Sequence, residues 1–118
     1  MAWWYHFAPE TSNDHQDYIS DINMVPDGKF FATAMWGNSL KTSPTIAVFS
    51  YLNSTPIFQY VTPGSMRSIS ISYVNENLWI AAGGKHEHAN DYGSGGDLFA
   101  IKLHFSGALA EFDKKSSD

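Results

Sequence analysis

Asp27-Gly28-Lys29-Phe30-Phe31-Ala32-Thr33-Ala34 is a polar turn, then two bulky residues, then small ones. The same order returns 48 positions on, counted from residue 27 to residue 75, as Asn75-Glu76-Asn77-Leu78-Trp79-Ile80-Ala81-Ala82. Upstream of each turn lies a strand of period two with one apolar face. In the first copy Ile22 and Met24 alternate with Asp21 and Asn23, and in the second Ile69 and Ile71 alternate with Ser68 and Ser70. Downstream, Thr45 to Phe49 matches Asp97 to Ile101 at a spacing of 52, from residue 45 to residue 97. Ser54 to Tyr60 then matches Ser106 to Phe112 at the same 52. Each copy reads as strand a, tight turn, strand b, loop, strand c, tight turn, strand d. The larger later spacing puts a longer b–c loop in the second copy.

Trp3-Trp4-Tyr5-His6-Phe7-Ala8-Pro9 lines up with Ile57 to Pro63 and reads as an isolated strand d. The expected organisation is therefore residues 1–10 as the outer strand of a preceding unit and 18–63 as unit one. Unit two spans 65–113, and 114–118 is a polar tail. The fold class is all-β, since no stretch has the apolar period of an amphipathic helix. A β-sandwich has the same short strands and turn chemistry and is the architectural alternative.

Four antiparallel strands repeating at 40 to 50 residues is the arrangement of β-propeller blades. The run Asp27 to Gly37, with Thr45-Ile46-Ala47-Val48-Phe49-Ser50, resembles the WD40-like and quinoprotein-like propeller repeat in pattern. The resemblance covers nearly the whole chain. It departs from WD40 at two points. No Gly-His precedes strand a, and Phe49-Ser50 and Leu103-His104 stand where Trp-Asp closes strand c. The resemblance implies two consecutive blades of a partial propeller. Small residues (Ala32, Thr33, Ala34, Ala81, Ala82, Gly83) would sit where blades crowd, and Ile22, Met24, Ile69, Ile71, Phe30, Phe31, Leu78 and Trp79 would fill the space between them.

Two blades do not close a ring, because propellers use about 4–8. The chain is then a piece of a longer propeller, a subunit that completes a ring as a homo-oligomer, or a small β domain that stands alone.

Composition narrows the functions. The 118 residues carry 12 acids against 7 bases, a formal charge of -5, with 16% charged and 15% aromatic residues. No basic stripe exists for a nucleic-acid groove or for an anionic membrane surface, so neither is expected as a partner. The absence of cysteine removes disulfides, thiolate catalysis and cysteine–zinc sites. No run reaches the roughly 20 apolar residues of a membrane helix, and the N-terminus lacks the basic region of a signal peptide. A soluble chain is expected, with its compartment unassigned.

In a propeller the d–a and b–c connections emerge at one face. Two insertions fall there: Thr11 to Asp17, and Lys85 to Asp97. Both are rich in His, Asp and Asn, and loops on a rigid scaffold are where function concentrates. The candidate ligand-binding residues are His15, His86, His88, Asp91 and Trp36. His86 and His88 lie two apart, so an extended backbone points both rings to one side. With Asp91 or His15 they form a candidate divalent-metal site of imidazole and carboxylate ligands. The competing reading is a solvated polar loop. Gly93-Ser94-Gly95-Gly96 lacks the Gly-Lys-Ser/Thr ending of a phosphate loop.

Three functions remain. The leading one is a non-enzymatic scaffold, without a required cofactor, that binds a protein or small ligand through the loop face. A fragment of a propeller enzyme with a polar or metal-assisted site is the second. A lectin-like oligomer with an aromatic shelf including Trp36 is the third.

Overall fold

The computed structural model describes residues 2–7, 18–89 and 95–105. His15, Asp91, the strand expected over 108–112 and the tail at 114–118 lie outside the described residues.

The described chain is all-β. Strands β1 (Ile19–Met24), β2 (Phe30–Met35), β3 (Ile46–Ser50) and β4 (Phe58–Tyr60) form one antiparallel meander, sheet 1. Strands β5 (Met66–Val74), β6 (Asn77–Lys85) and β7 (Gly96–His104) form a second, sheet 2. These are the strands a, b, c and d expected of the first copy and a, b and c of the second. No helix occurs among the described residues.

The hairpins differ in length. Asn75 and Glu76 make a two-residue turn with φ of 51° and 65°, the conformation that matches strand twist in a tight hairpin. The β1–β2 connection is longer, running through Pro26 to Lys29 with Gly28 at φ 77°. This difference shifts the equivalence of the two copies. Ile22 pairs with Thr33 and Met24 with Phe31, whereas Ile69 pairs with Ala82 and Ile71 with Ile80. Phe31 therefore corresponds to Ile80, 49 positions on rather than the 48 read from the turn motif. A slip of one residue exchanges the faces of a strand. The strand c equivalence stays at 52, since Phe49 pairs with Phe31 and Ile101 with Ile80.

With this register, the two sheets meet through unlike faces. Sheet 1 contributes Val25, Phe30, Ala32, Ala34, Ile46 and Val48 to the main core. Sheet 2 contributes Met66, Ile69, Ile71, Leu78, Ile80 and Ala82. The counterparts of Phe30, Ala32 and Ala34 in sheet 2 are Trp79, Ala81 and Gly83, which lie on its opposite face. Sheet 2 is thus stacked on sheet 1 as a second copy in the same sense. A two-fold sandwich would bring like faces together.

A line of hydrogen bonds fixes this stack. Asp21 Oδ2 accepts from the Ile69 amide at 2.9 Å and Asn23 Oδ1 from the Ile71 amide at 3.2 Å. Ser20 Oγ donates to the Met66 carbonyl at 2.6 Å. Each step along β1 advances the partner along β5 in the same direction, so the two strands run parallel, side by side. The outward polar groups of β5 would otherwise form an exposed sheet edge. Asp21 Oδ1 also accepts from the Ile22 amide at 3.0 Å, which holds the carboxylate in place.

Residues 2–7 join no ladder, although the alignment with Ile57 to Pro63 predicts a strand there. Their rings lie on the far face of sheet 1. Trp3 stacks on Phe31 and packs on Phe49, Phe7 meets Phe49 edge-on, and Trp3 Nε1 donates to the Tyr51 carbonyl at 3.0 Å. Together with Met35 and Ala47 they make a second, smaller core.

Replacing Asp21 by Ala removes an acceptor for two amides. We predict a loss of about 1.5–3 kcal/mol in denaturant unfolding, the range for hydrogen bonds to charged groups. Amide exchange should accelerate at Ile69 by more than at Ile80, whose exchange should rise only as far as the global loss of stability requires. Unaltered exchange at Ile69 would contradict this role.

Candidate functional site

One end of the two sheets gathers the β2–β3, β4–β5 and β6–β7 connections. Trp36 leaves β2, Ser65 enters β5, and His86 to Ala89 follow β6. Three of the five sequence-predicted site residues, Trp36, His86 and His88, are at this end; His15 and Asp91 are not among the described residues.

Backbone proximity builds the site. The Lys85 amide donates to the Ser65 carbonyl at 2.8 Å. A Cβ on Gly84 would run into the Ser65 carbonyl oxygen and Met66 Cα, and one on Gly64 would meet the Lys85 carbonyl and the His86–Glu87 backbone. Both positions need glycine because two chain segments approach without room for a side chain. The His86 amide donates to the Gly95 carbonyl at 3.1 Å, which closes the base of the β6–β7 connection.

His86 and His88 take separate partners. His86 Nδ1 lies 2.9 Å and 3.1 Å from the two carboxylate oxygens of Asp97, on an exposed surface. His88 turns inward, with Nδ1 3.3 Å from the Trp36 carbonyl and 3.3 Å from Ser65 Oγ. A carbonyl only accepts, so Nδ1 carries the proton and Nε2 is the acceptor in the neutral ring. Ser65 Oγ also accepts from the Ala89 amide at 3.0 Å, so this hydroxyl joins the two loops. Among the described residues, no group of three or more His, Cys, Asp or Glu stands together to hold a metal. The His86–Asp97 pair alone supplies two ligand types.

Trp36 is 8% exposed and forms the floor of this end. Tyr18 stacks on it with ring centroids 5.2 Å apart, and the Trp36 amide donates to the Tyr18 carbonyl at 2.8 Å. Lys85 Nζ lies 5.0 Å and Arg67 Cζ 5.9 Å from the Trp36 ring centroid. Cations over an indole face are held by its quadrupole. In a chain with formal charge -5, this end thus brings two cations onto one aromatic plane. The ring is covered, so it presents no open shelf for a sugar. Two polar atoms, Trp36 Nε1 and His88 Nε2, are buried without a hydrogen-bond partner among the described residues. One is a donor and the other an acceptor.

The first b–c loop is held by its own residues. Asn38 Oδ1 accepts from the Thr42 and Ser43 amides at 2.8 Å and 2.9 Å, and Nδ2 donates to Thr42 Oγ1 at 2.7 Å.

Sequence reasoning missed Tyr18, Ser65 and Arg67. The legible signal for Ser65 was the brevity of the Gly64-Ser65 connection. A connection that short forces close approach to the end of β6. Tyr18 and Arg67 gave no such signal, because each reads as a surface residue beside a strand.

Compared with known proteins, the chain matches no family model, no curated sequence and no solved structure.

Two substitutions at Trp36 separate packing from the orphaned N–H. Trp36→Phe keeps an aromatic ring and removes the unpaired donor, so stability should change by less than about 1 kcal/mol. Trp36→Ala empties the floor and should cost about 3–5 kcal/mol. Equal losses in chemical denaturation would show that the indole N–H has a partner. At Gly84, alanine should cost about 1–3 kcal/mol through overpacking, and a neutral result would contradict the close approach to Ser65.

Proposed function

We propose that the chain forms two consecutive blades of a partial β-propeller and works as a non-enzymatic binding scaffold. The observation that carries this reading is the stack of unlike faces, with β1 and β5 parallel and joined by Asp21 and Asn23. A blade repeats by rotation about a common axis, so each blade offers one face to its predecessor and the other to its successor. First strands of successive blades then lie parallel at the inner edge. The antiparallel meanders β1–β4 and β5–β7 fit the blade connectivity.

The binding face is the end carrying Trp36, Arg67, Lys85, His86 and His88. Its residues come from the β2–β3 and β6–β7 connections and from the ends of β5 and β6, and loops on a rigid sheet stack are suited to recognition. Arg67 and Lys85 set two cations over an aromatic floor, beside the carboxylates of Glu87 and Asp97, a polar surface suited to a protein segment or small ligand bearing carboxylates. The polar groups of the loops are spent on internal contacts, His86 on Asp97 and His88 on Trp36 and Ser65, which favours binding over catalysis.

The reading is tested by titrating 15N-labelled protein with acidic, neutral and basic peptide pools and, separately, with zinc. Acidic peptides should shift the amides of Arg67 and Lys85 to Ala89, and Arg67→Ala should weaken the response. Peptides without effect, together with stoichiometric zinc that shifts His86 and His88, would favour the metal-assisted enzyme instead.

A further inference from the structure

The internal stack defines which surface of each sheet belongs in an interface, and both outer faces of the two-sheet unit match it. On sheet 2, Ile69 and Ile71 are 5% and 8% exposed because sheet 1 covers them. Their counterparts on sheet 1, Ile22 and Met24, are 56% and 55% exposed. On sheet 1, Phe30, Ala32, Ala34, Ile46 and Val48 are buried against sheet 2. Their counterparts on the far face of sheet 2, by register, are Trp79, Ala81, Gly83, Leu98 and Ala100. Of these, Trp79 is 48% and Leu98 79% exposed.

The match holds at these five positions and ends at the rim of the face, where Ser72 stands in place of Val25 and Lys102, 5.1 Å from the Trp79 ring, in place of Ser50. Phe becomes Trp, Ala stays Ala, Ala becomes Gly, Ile becomes Leu and Val becomes Ala. A solvated strand face normally alternates to polar residues. Here the centre of the outer face, Trp79, Ala81, Leu98 and Ala100, keeps the apolar character and size gradient of the buried one. The polar line is kept too: Ser68 and Ser70 stand where Asp21 and Asn23 stand, and offer hydroxyl acceptors at the same two places.

We infer that the chain associates head to tail with a second copy of itself, the Trp79–Leu98 face of one copy seating the Ile22–Met24 strand of the next. The proposal rests on the stacked-blade reading above. Continuity with the internal interface selects a second copy as the occupant, because the two open faces are complementary to each other rather than each to itself. Such an interface is heterologous and continues until it closes into a ring or extends as a filament. On the Ile22–Met24 face of sheet 1 the outer half is already taken by Trp3 and Phe7 on Phe31 and Phe49. The Trp79–Leu98 face of the neighbouring copy therefore meets the inner half, along β1.

Two exposed positions test this without disturbing the core. Leu98→Asp charges one face and Ile22→Asp the other. Sedimentation velocity across a concentration series should show the wild type assembling. Each variant should weaken self-association by about thirty-fold or more, the scale of losing an interface anchor. Mixed together, the two variants should form a one-to-one dimer that grows no further. Each retains the face the other lacks, but the remaining pair of faces is blocked. A wild type that stays monomeric at every concentration overturns the proposal and assigns the faces to other blades. Assembly indifferent to both substitutions, or variants that fail to pair when mixed, also overturns it. Hydrogen exchange on the same samples separates this from the blade reading. Protected Ile69 and Ile71 amides in a monomer leave the stack standing, whereas unprotected ones remove both.

Discussion

The carboxylate of Asp21 and the amide of Asn23 hold the structure's two sheets in one relation. They accept from alternate amides of β5, an edge strand whose outward groups have no other partner in a ladder. Two acceptors spaced two residues apart on one parallel strand allow a single register. A shift by one would place Ile22 and Met24 opposite the β5 backbone and leave its amides unpaired. Apolar burial alone would not choose so sharply, because hydrophobic contact is non-directional. Packing of Phe30, Ala32, Ala34, Ile69 and Ile71 supplies the driving force, and the polar line sets its geometry.

The same relation explains how the loop end is built. Bringing β5 beside β1 places Ser65 next to Trp36, and the glycines at 64 and 84 let the end of β6 close over it. The charged groups Arg67 and Lys85 then meet the indole from elements far apart in sequence. This loop end is a consequence of stacking, since no single loop contains it.

Much of the architecture was legible in the sequence. Alternation along Ile22-Asn23-Met24 and Ile69-Ser70-Ile71 located strands a, and the spacing of 52 matched Phe49 with Ile101. Strand b was read one residue out of register. Phe30 and Phe31 are both aromatic, so their identity does not say which faces sheet 2, and the unequal hairpins hide the offset. Asp21 and Asn23 read as a solvent face, because sequence alternation does not distinguish water from a neighbouring strand's edge. The Trp3–Phe7 segment has strand-like composition but is used for its rings alone. At the loop end, Trp36, His86 and His88 lie near one another. Convergence of the two imidazoles was not found: His88 is drawn inward by the Trp36 carbonyl and His86 outward by Asp97.

The stacking of unlike faces is the central claim, and methyl-to-methyl contacts report it most directly. In a nuclear Overhauser spectrum of methyl-labelled protein, Ile69 and Ile71 should show cross-peaks to Ala32, Ala34 and Val48. Cross-peaks from Ile69 and Ile71 to Ile22 and Met24 in their place would mean that like faces meet, as in a sandwich, and would contradict the account.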